Sequence, residues 1–138
     1  MKLAVDFDGT LVSENWPDIV DFDMDLIEAF IHAKEKGHQI ILHTCREGEH
    51  LDEALESMAL LGLEFDAVNE NVEKEFHGLI LSRKPSADVY FDNKSFNWDR
   101  DQALMYLHNL VGRPRIDIFE RLRRSIIKLT YRLEREQT

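Results

Sequence analysis

Apolar residues in this chain come in two alternating arrangements, short unbroken runs and stretches repeating every three to four positions. Lys2-Leu3-Ala4-Val5-Asp6-Phe7 predicts a short buried strand, ended by the turn residues Asp8-Gly9-Thr10. A loop over residues 11–22 carries Trp16 and Pro17. Leu26, Ile27, Phe30 and Ile31 then mark one face of a helix, and Gly37 is placed to cap its end. Gln39-Ile40-Ile41-Leu42-His43 predicts a second strand, and Leu51, Ala54, Leu55 and Met58 a second helix closed by Gly62. Phe65-Asp66-Ala67-Val68 suggests a third strand, residues 69–83 lack a clear period, and Asp88-Val89-Tyr90-Phe91 forms a fourth strand. Leu104, Leu107 and Val111 mark a third helix before Gly112. This alternation predicts an α/β fold with a mainly parallel sheet.

The chain has 138 residues, 43% hydrophobic and 32% charged, the balance of one globular domain. No run of about 18 apolar residues occurs, and the first residues meet Asp6 too soon for a signal-peptide core. Membrane insertion is therefore not expected, and the single cysteine, Cys45, fits a reducing, cytoplasmic setting. The net charge of −10 is unevenly shared. Residues 112–138 hold eight Lys/Arg against four Asp/Glu, or +4, which leaves nine basic and 23 acidic groups, or −14, in residues 1–111. Such a body repels polyanions unless a cation or a local basic cluster intervenes.

Ligands of parallel sheets bind beyond the C-terminal strand ends. The residues to inspect there are Asp6, Asp8, Gly9 and Thr10, then Thr44, Cys45 and Arg46, then Arg83 and Lys84 with Asp92 and Asn93. Three carboxylates brought together raise one another's pKa values. A divalent cation relieves that repulsion, and an all-oxygen set suits Mg²⁺, with Asp6 and Asp92 as ligands. The remaining groups suggest phosphoryl transfer, in which charge spreads over the oxygens in flight. Lys84 offers a point positive charge, and Thr44 a hydroxyl beside a backbone N–H. Asp6 can attack phosphorus in line. Asp8 can protonate the leaving oxygen and later accept a proton from water. Gly9 allows the backbone to turn sharply between them.

The pentad Asp6-Phe7-Asp8-Gly9-Thr10 after an apolar strand resembles the first motif of the haloacid dehalogenase-like (HAD) hydrolase superfamily. Thr44 after Ile40-Ile41-Leu42-His43 resembles its second motif, Lys84 in Arg83-Lys84-Pro85 its third, and Asp92 after Val89-Tyr90-Phe91 its fourth. The resemblance spans about residues 1–111 and is similar to small, capless bacterial and phage members. It implies a Rossmann-like three-layer sandwich without a cap domain, Mg²⁺, and Asp6 as nucleophile. Asp8 points to phosphatases or mutases and away from dehalogenases. The expected site is thus catalytic Asp6, Asp8, Thr44 and Lys84, with Thr44, Arg46 and Lys84 on the substrate and Asp6, Asp8 and Asp92 on the metal. Two features depart from the family pattern. Many relatives carry a second aspartate where this chain has Asn93, and only seven residues separate Lys84 from Asp92.

The expected activity is a Mg²⁺-dependent phosphomonoester phosphatase working through an aspartyl phosphate. Its substrate would be a phosphorylated small molecule or a nucleic-acid terminus, for which an open, capless site has room. Competing readings are a phosphorylation-dependent receiver-like signalling module, whose acceptor would fall near Asn69, and a catalytically quiet interaction protein. Trp16 is either hydrophobic loop closure or a stacking surface for substrate, and Arg46 either a substrate contact or a surface ion pair. His43 and Cys45, flanking Thr44 on the opposite strand face, are expected to be buried on the helix-packed side.

Residues 112–138 form an appendage to the 1–111 catalytic domain, with Pro114 suited to a helix start. Phe119, Leu122, Ile126, Leu129 and Leu133 follow the 3-4-3-4 spacing of a short heptad seam. This basic amphipathic helix can pack on the body with its arginines towards the acidic surface, join two copies into a homo-oligomer through residues 113–135, or lie on a membrane surface.

Overall fold

A computed structural model describes residues 1–73, 75–76, 79–80 and 85–137. The chain runs β1 (Lys2–Val5), α1 (Met24–Glu35), β2 (Gln39–Leu42), α2 (Gly48–Leu61), β3 (Ala67–Val68), β4 (Glu75–Phe76), β5 (Leu79–Ile80), β6 (Val89–Phe91), α3 (Arg100–Val111) and α4 (Ile118–Glu136). Four strands form one all-parallel sheet in the order β3-β2-β1-β6, and β4 and β5 make a separate antiparallel pair. This is the expected Rossmann-like α/β architecture. Among the described residues no helix is long and apolar enough to cross a membrane.

The sheet is buried unequally on its two faces. Leu3, Val5, Ile40 and Leu42 point into the main core with Leu26, Ile27 and Phe30 of α1, Met58 and Leu61 of α2, and Leu107 of α3. The alternate residues Ala4, Ile41 and Ala67 form a smaller cluster, against which Val72 and Ala87 pack. The second outer layer, among the described residues, is therefore the connection from β3 to β6 and not another helix. That connection has no 3.6-residue apolar period, so it offers no helical stripe to lay on the sheet.

The helix ends follow local chemistry. Asp23 accepts from the Leu26 N–H at the start of α1, and Asp99 from the Asp101 and Gln102 N–H groups at the start of α3. Gly62 closes α2 at φ +100°, a conformation that costs a Cβ-bearing residue energy. The fourth helix starts later than Pro114 suggests. Asp117 caps it by accepting from the Glu120 N–H at 2.9 Å, and residues 113–116 lead in as non-helical chain.

Contact with the body comes from the face of α4 opposite the heptad seam. Arg124 is buried and reaches Glu28 at 3.2 Å and Glu120 at 3.0 Å. Arg123 donates to the Leu60 carbonyl, Arg132 pairs with Asp21 and Arg135 with Asp18. Ile127 and Tyr131 add apolar contact, the Tyr131 ring meeting Phe22 edge-on. The arginines do face acidic groups of the body, as expected of a packed helix, while the seam itself faces solvent.

Candidate functional site

Strand register builds the site. Val5 lies beside Leu42 and Phe91, and Leu42 beside Val68. The next residue of each strand is Asp6, His43, Asp92 and Asn69, so four segments end in one row. The Asp6 N–H donates to the Phe91 carbonyl and the Asn69 N–H to the Leu42 carbonyl, both at 2.8 Å, extending the ladder by one step.

After Asp6 the chain winds tightly round one carbonyl. Thr10, Leu11 and Val12 all donate to Phe7 O, while the Phe7 ring is fully buried beneath. Gly9 makes this turn at φ +81°, and a Cβ there would run into the Asn93 side-chain amide. Both facts call for glycine. Thr10 ties the loop to β6, its Oγ1 accepting from the Asn93 N–H at 3.0 Å. With its amide turned to satisfy its surroundings, Asn93 donates to Asp6 Oδ2 at 3.0 Å and to the Asp8 carbonyl at 3.1 Å.

The carboxyl of Asp6 is pushed up from 3.8 to about 7. Burial is the main cause, followed by the charge of Asp92, with Asp8 and Glu14 adding smaller repulsions; a hydrogen bond from the Phe7 N–H opposes them. Asp92 Oδ1 accepts from the Lys94 N–H at 2.8 Å, and the Lys94 ammonium pairs with Glu14 at 2.8 Å.

Arg46 and Asp8 form a part-buried ion pair. The Arg46 guanidinium, 0% exposed, binds Asp8 in a fork, Nε to Oδ2 at 2.8 Å and Nη2 to Oδ1 at 2.7 Å. Its charge also lies 4.9 Å from the Phe7 ring centre and 5.0 Å from that of Trp16. Arg46 is thus a buried partner of Asp8 and not a surface residue. Both oxygens of the Asp8 carboxylate are engaged by that fork, while the carbonyl of Asp8 meets the same Asn93 amide as Asp6 Oδ2.

Thr44 is 8% exposed, and its Oγ1 accepts from the Arg46 N–H at 3.1 Å, which leaves the hydroxyl proton free to be donated. Asn69 fixes the Thr44 backbone from both sides, Oδ1 accepting from its N–H and Nδ2 donating to its carbonyl, each at 2.8 Å. Asn69 adopts φ +52°, a left-handed conformation that asparagine tolerates better than most residues. Its role at Thr44 escaped the sequence reading, although its position directly after Val68 marks it as a strand-end residue.

Trp16, 56% exposed, meets the His50 ring at 4.9 Å and covers Arg46. His43 and Cys45 are exposed, against expectation. They follow the alternation of Ile41, whose face has only the thin cover of Val72 and Ala87 and not the helices. Lys84 lies outside the described residues.

Among the described residues no three His, Cys, Asp or Glu side chains close on one point. The oxygens that do converge are of mixed kind: the Asp6 carboxylate, the Asp8 carbonyl and, if its amide is reversed, Asn93 Oδ1. With the charge of Asp92 felt at Asp6, this hard donor set fits a small divalent cation that keeps some of its waters.

An all-parallel α/β sheet with a carboxylate-rich row at its C-terminal edge defines the class of protein. No family model and no curated protein matches the chain. A solved structure titled as that of a conserved protein coded by a locus of Bacteroides thetaiotaomicron matches with a TM-score of 0.69 and 35% sequence identity, over 83% of this chain and 93% of that one. The chain belongs to the same family as that conserved protein.

Proposed function

We propose that this protein is a Mg²⁺-dependent phosphomonoester hydrolase of HAD type, in which Asp6 is the nucleophile. The observation that supports this best is the meeting of Asp6, the Asp8 loop, Thr44 and Asp92 at one sheet edge. There the Asp6 carboxyl is raised to about 7 by burial and by its acidic neighbours. Such a carboxylate is poorly solvated, and a cation beside it would restore its charged, nucleophilic form. Asp6, the Asp8 carbonyl, Asp92 and a reversed Asn93 amide would hold Mg²⁺, which supplies charge neutralisation for the phosphate.

In this reading an Asp6 carboxylate oxygen bonds to phosphorus as the ester oxygen leaves, giving an aspartyl phosphate. The Thr44 hydroxyl and nearby main-chain N–H groups hold the phosphoryl oxygens. Lys84, outside the described residues, would supply the balancing cation. Asp8 delivers the proton to the leaving oxygen and takes one from the water that then cleaves the intermediate. To do so it must relax its fork with Arg46, or use one oxygen while Arg46 keeps the other. The open rim suits a phosphorylated small molecule or a nucleic-acid terminus, and the exposed Cys45 suits a cytoplasmic setting.

The Asp8–Arg46 fork also favours a second reading, a catalytically quiet module that binds phosphorylated partners without turning them over. A receiver-like module fits less well, because the residue ending β3 is Asn69, whose amide is engaged with Thr44. A screen of phosphomonoesters with Mg²⁺ tests the hydrolase. Release of phosphate that disappears in Asp6→Asn supports it, and binding without release supports the quiet module.

A further inference from the structure

The outward face of α4 is apolar. Ile118, Phe119, Leu122, Ile126, Leu129 and Leu133 are between 47% and 80% exposed. At about 100° per residue they fall in a single stripe about 100° wide. The residues that meet the body, among them Arg124, Ile127 and Tyr131, lie diametrically opposite. The usual arrangement of a surface helix is inverted here, with charge turned inward and oil outward.

We infer that this stripe binds the same stripe of a second copy, forming a two-fold pair of α4 helices that brings Ile126 next to Ile126 of the second copy. Area is the first argument. Taking about 200 Å² for a free large apolar side chain, the six leave roughly 700 Å² uncovered. That exceeds the largest apolar patch of a typical monomer, about 300–600 Å². Two copies covering each other would bury about 1,400 Å², within the range of stable, specific interfaces. Spacing is the second argument. Phe119, Leu122, Ile126, Leu129 and Leu133 follow a heptad seam, the pattern by which one helix packs its knobs between those of another.

Charge argues against a lipid surface as the occupant. An interfacial helix needs its cations for anionic headgroups. Four of the six cations of α4 (Arg123, Arg124, Arg132 and Arg135) are engaged by Glu120, Glu28, Asp21, Asp18 or the Leu60 carbonyl. The acidic body beside the helix would moreover be repelled by an anionic membrane. A second copy closes the stripe with a self-complementary, two-fold contact and leaves no apolar edge to propagate. This association stands apart from the proposed hydrolysis and is tested without an activity assay.

Sedimentation velocity of the full chain over roughly 1–100 μM should show a dimer. Leu122→Glu combined with Ile126→Glu should raise the dissociation constant at least ~100-fold while the circular dichroism spectrum stays native, both side chains being solvent-exposed in one copy. A second measurement uses cysteine placement in a Cys45→Ser background. Ile126→Cys should form a disulfide-linked dimer on mild oxidation, and Glu49→Cys, at the start of α2, should not. A wild-type chain that stays monomeric, a double variant that dimerises unchanged, or equal cross-linking at both positions overturns the inference. So does co-flotation of the wild type with phosphatidylcholine–phosphatidylserine vesicles that the double variant loses, which would assign the stripe to lipid.

Discussion

Arg46 holds both carboxylate oxygens of Asp8 from a position with no solvent exposure, across 38 residues of sequence. Removing one member of such a pair strands the other. Arg46→Leu should therefore destabilise the protein by about 2–4 kcal/mol, somewhat below the cost for a fully enclosed pair because water still reaches Asp8. Arg46→Lys should recover only part of this, since an ammonium cannot match the fork. Urea denaturation midpoints of the two variants check both statements.

The proton on Asp6 sets a pH dependence. Its folded pKa of about 7 lies above the ordinary 3.8, so the folded state binds the proton more tightly than the unfolded chain. Stability contributed by the protonated form is fully present below pH 3.8 and is lost as pH rises through 7. Asp6→Asn, which never ionises, should escape that loss. In chelator at pH 8 it should be more stable than wild type by about 1–2 kcal/mol, a figure reduced for the water that still reaches the carboxyl. At pH 3, below both pKa values, the difference should vanish. Thermal melts at the two pH values decide it.

Adding Mg²⁺ should act in the opposite direction on the same pair. Millimolar Mg²⁺ should raise the wild-type melting temperature at pH 8 and leave Asp6→Asn unmoved, since at about ten times Kd a ligand adds roughly 1.4 kcal/mol to the state it binds. Phosphatase activity should fall to background in chelator and return with Mg²⁺. Asp8→Asn should slow turnover by about 10²–10⁴, the usual worth of general acid/base catalysis.

Asn69 offers a test of strain against hydrogen bonding. Asn69→Gly keeps the left-handed backbone but loses both bonds to Thr44, whereas Asn69→Ala loses the bonds and adds strain. Both should lower phosphatase turnover by releasing Thr44. Alanine should cost about 1 kcal/mol more than glycine in denaturant melts.

Much of the sheet edge was legible because each part carries a local signal. Ile40-Ile41-Leu42 and Val89-Tyr90-Phe91 read as strands, the glycines at 37, 62 and 112 end helices, and the residue after each apolar run reaches the row that holds Asp6 and Asp92. What the sequence hid depends on distant partners. Arginine is usually exposed, and nothing near residue 46 announces that Asp8 will bury it. The β4–β5 pair has strands of two residues each, too short for an alternating pattern. Heptad spacing revealed the apolar stripe of α4 but not its direction. That was decided by Asp18, Asp21 and Glu28, about 100 residues upstream of the arginines that meet them. The start of α4 is set by the Asp117–Glu120 cap and not by Pro114, three residues upstream of it.

The outer fastenings of α4 end on the loop that supports Trp16. Arg132 and Arg135 grip Asp21 and Asp18 on either side of Ile19, and Trp16, just before them, roofs the guanidinium that restrains Asp8. Those grips sit in water, where dissolved ions screen them within a few ångströms at molar concentration. The loop that carries the roof over Arg46 is thus held in part by contacts that concentrated electrolyte weakens, whereas the enclosed Arg46–Asp8 fork beneath it is shielded from the same ions.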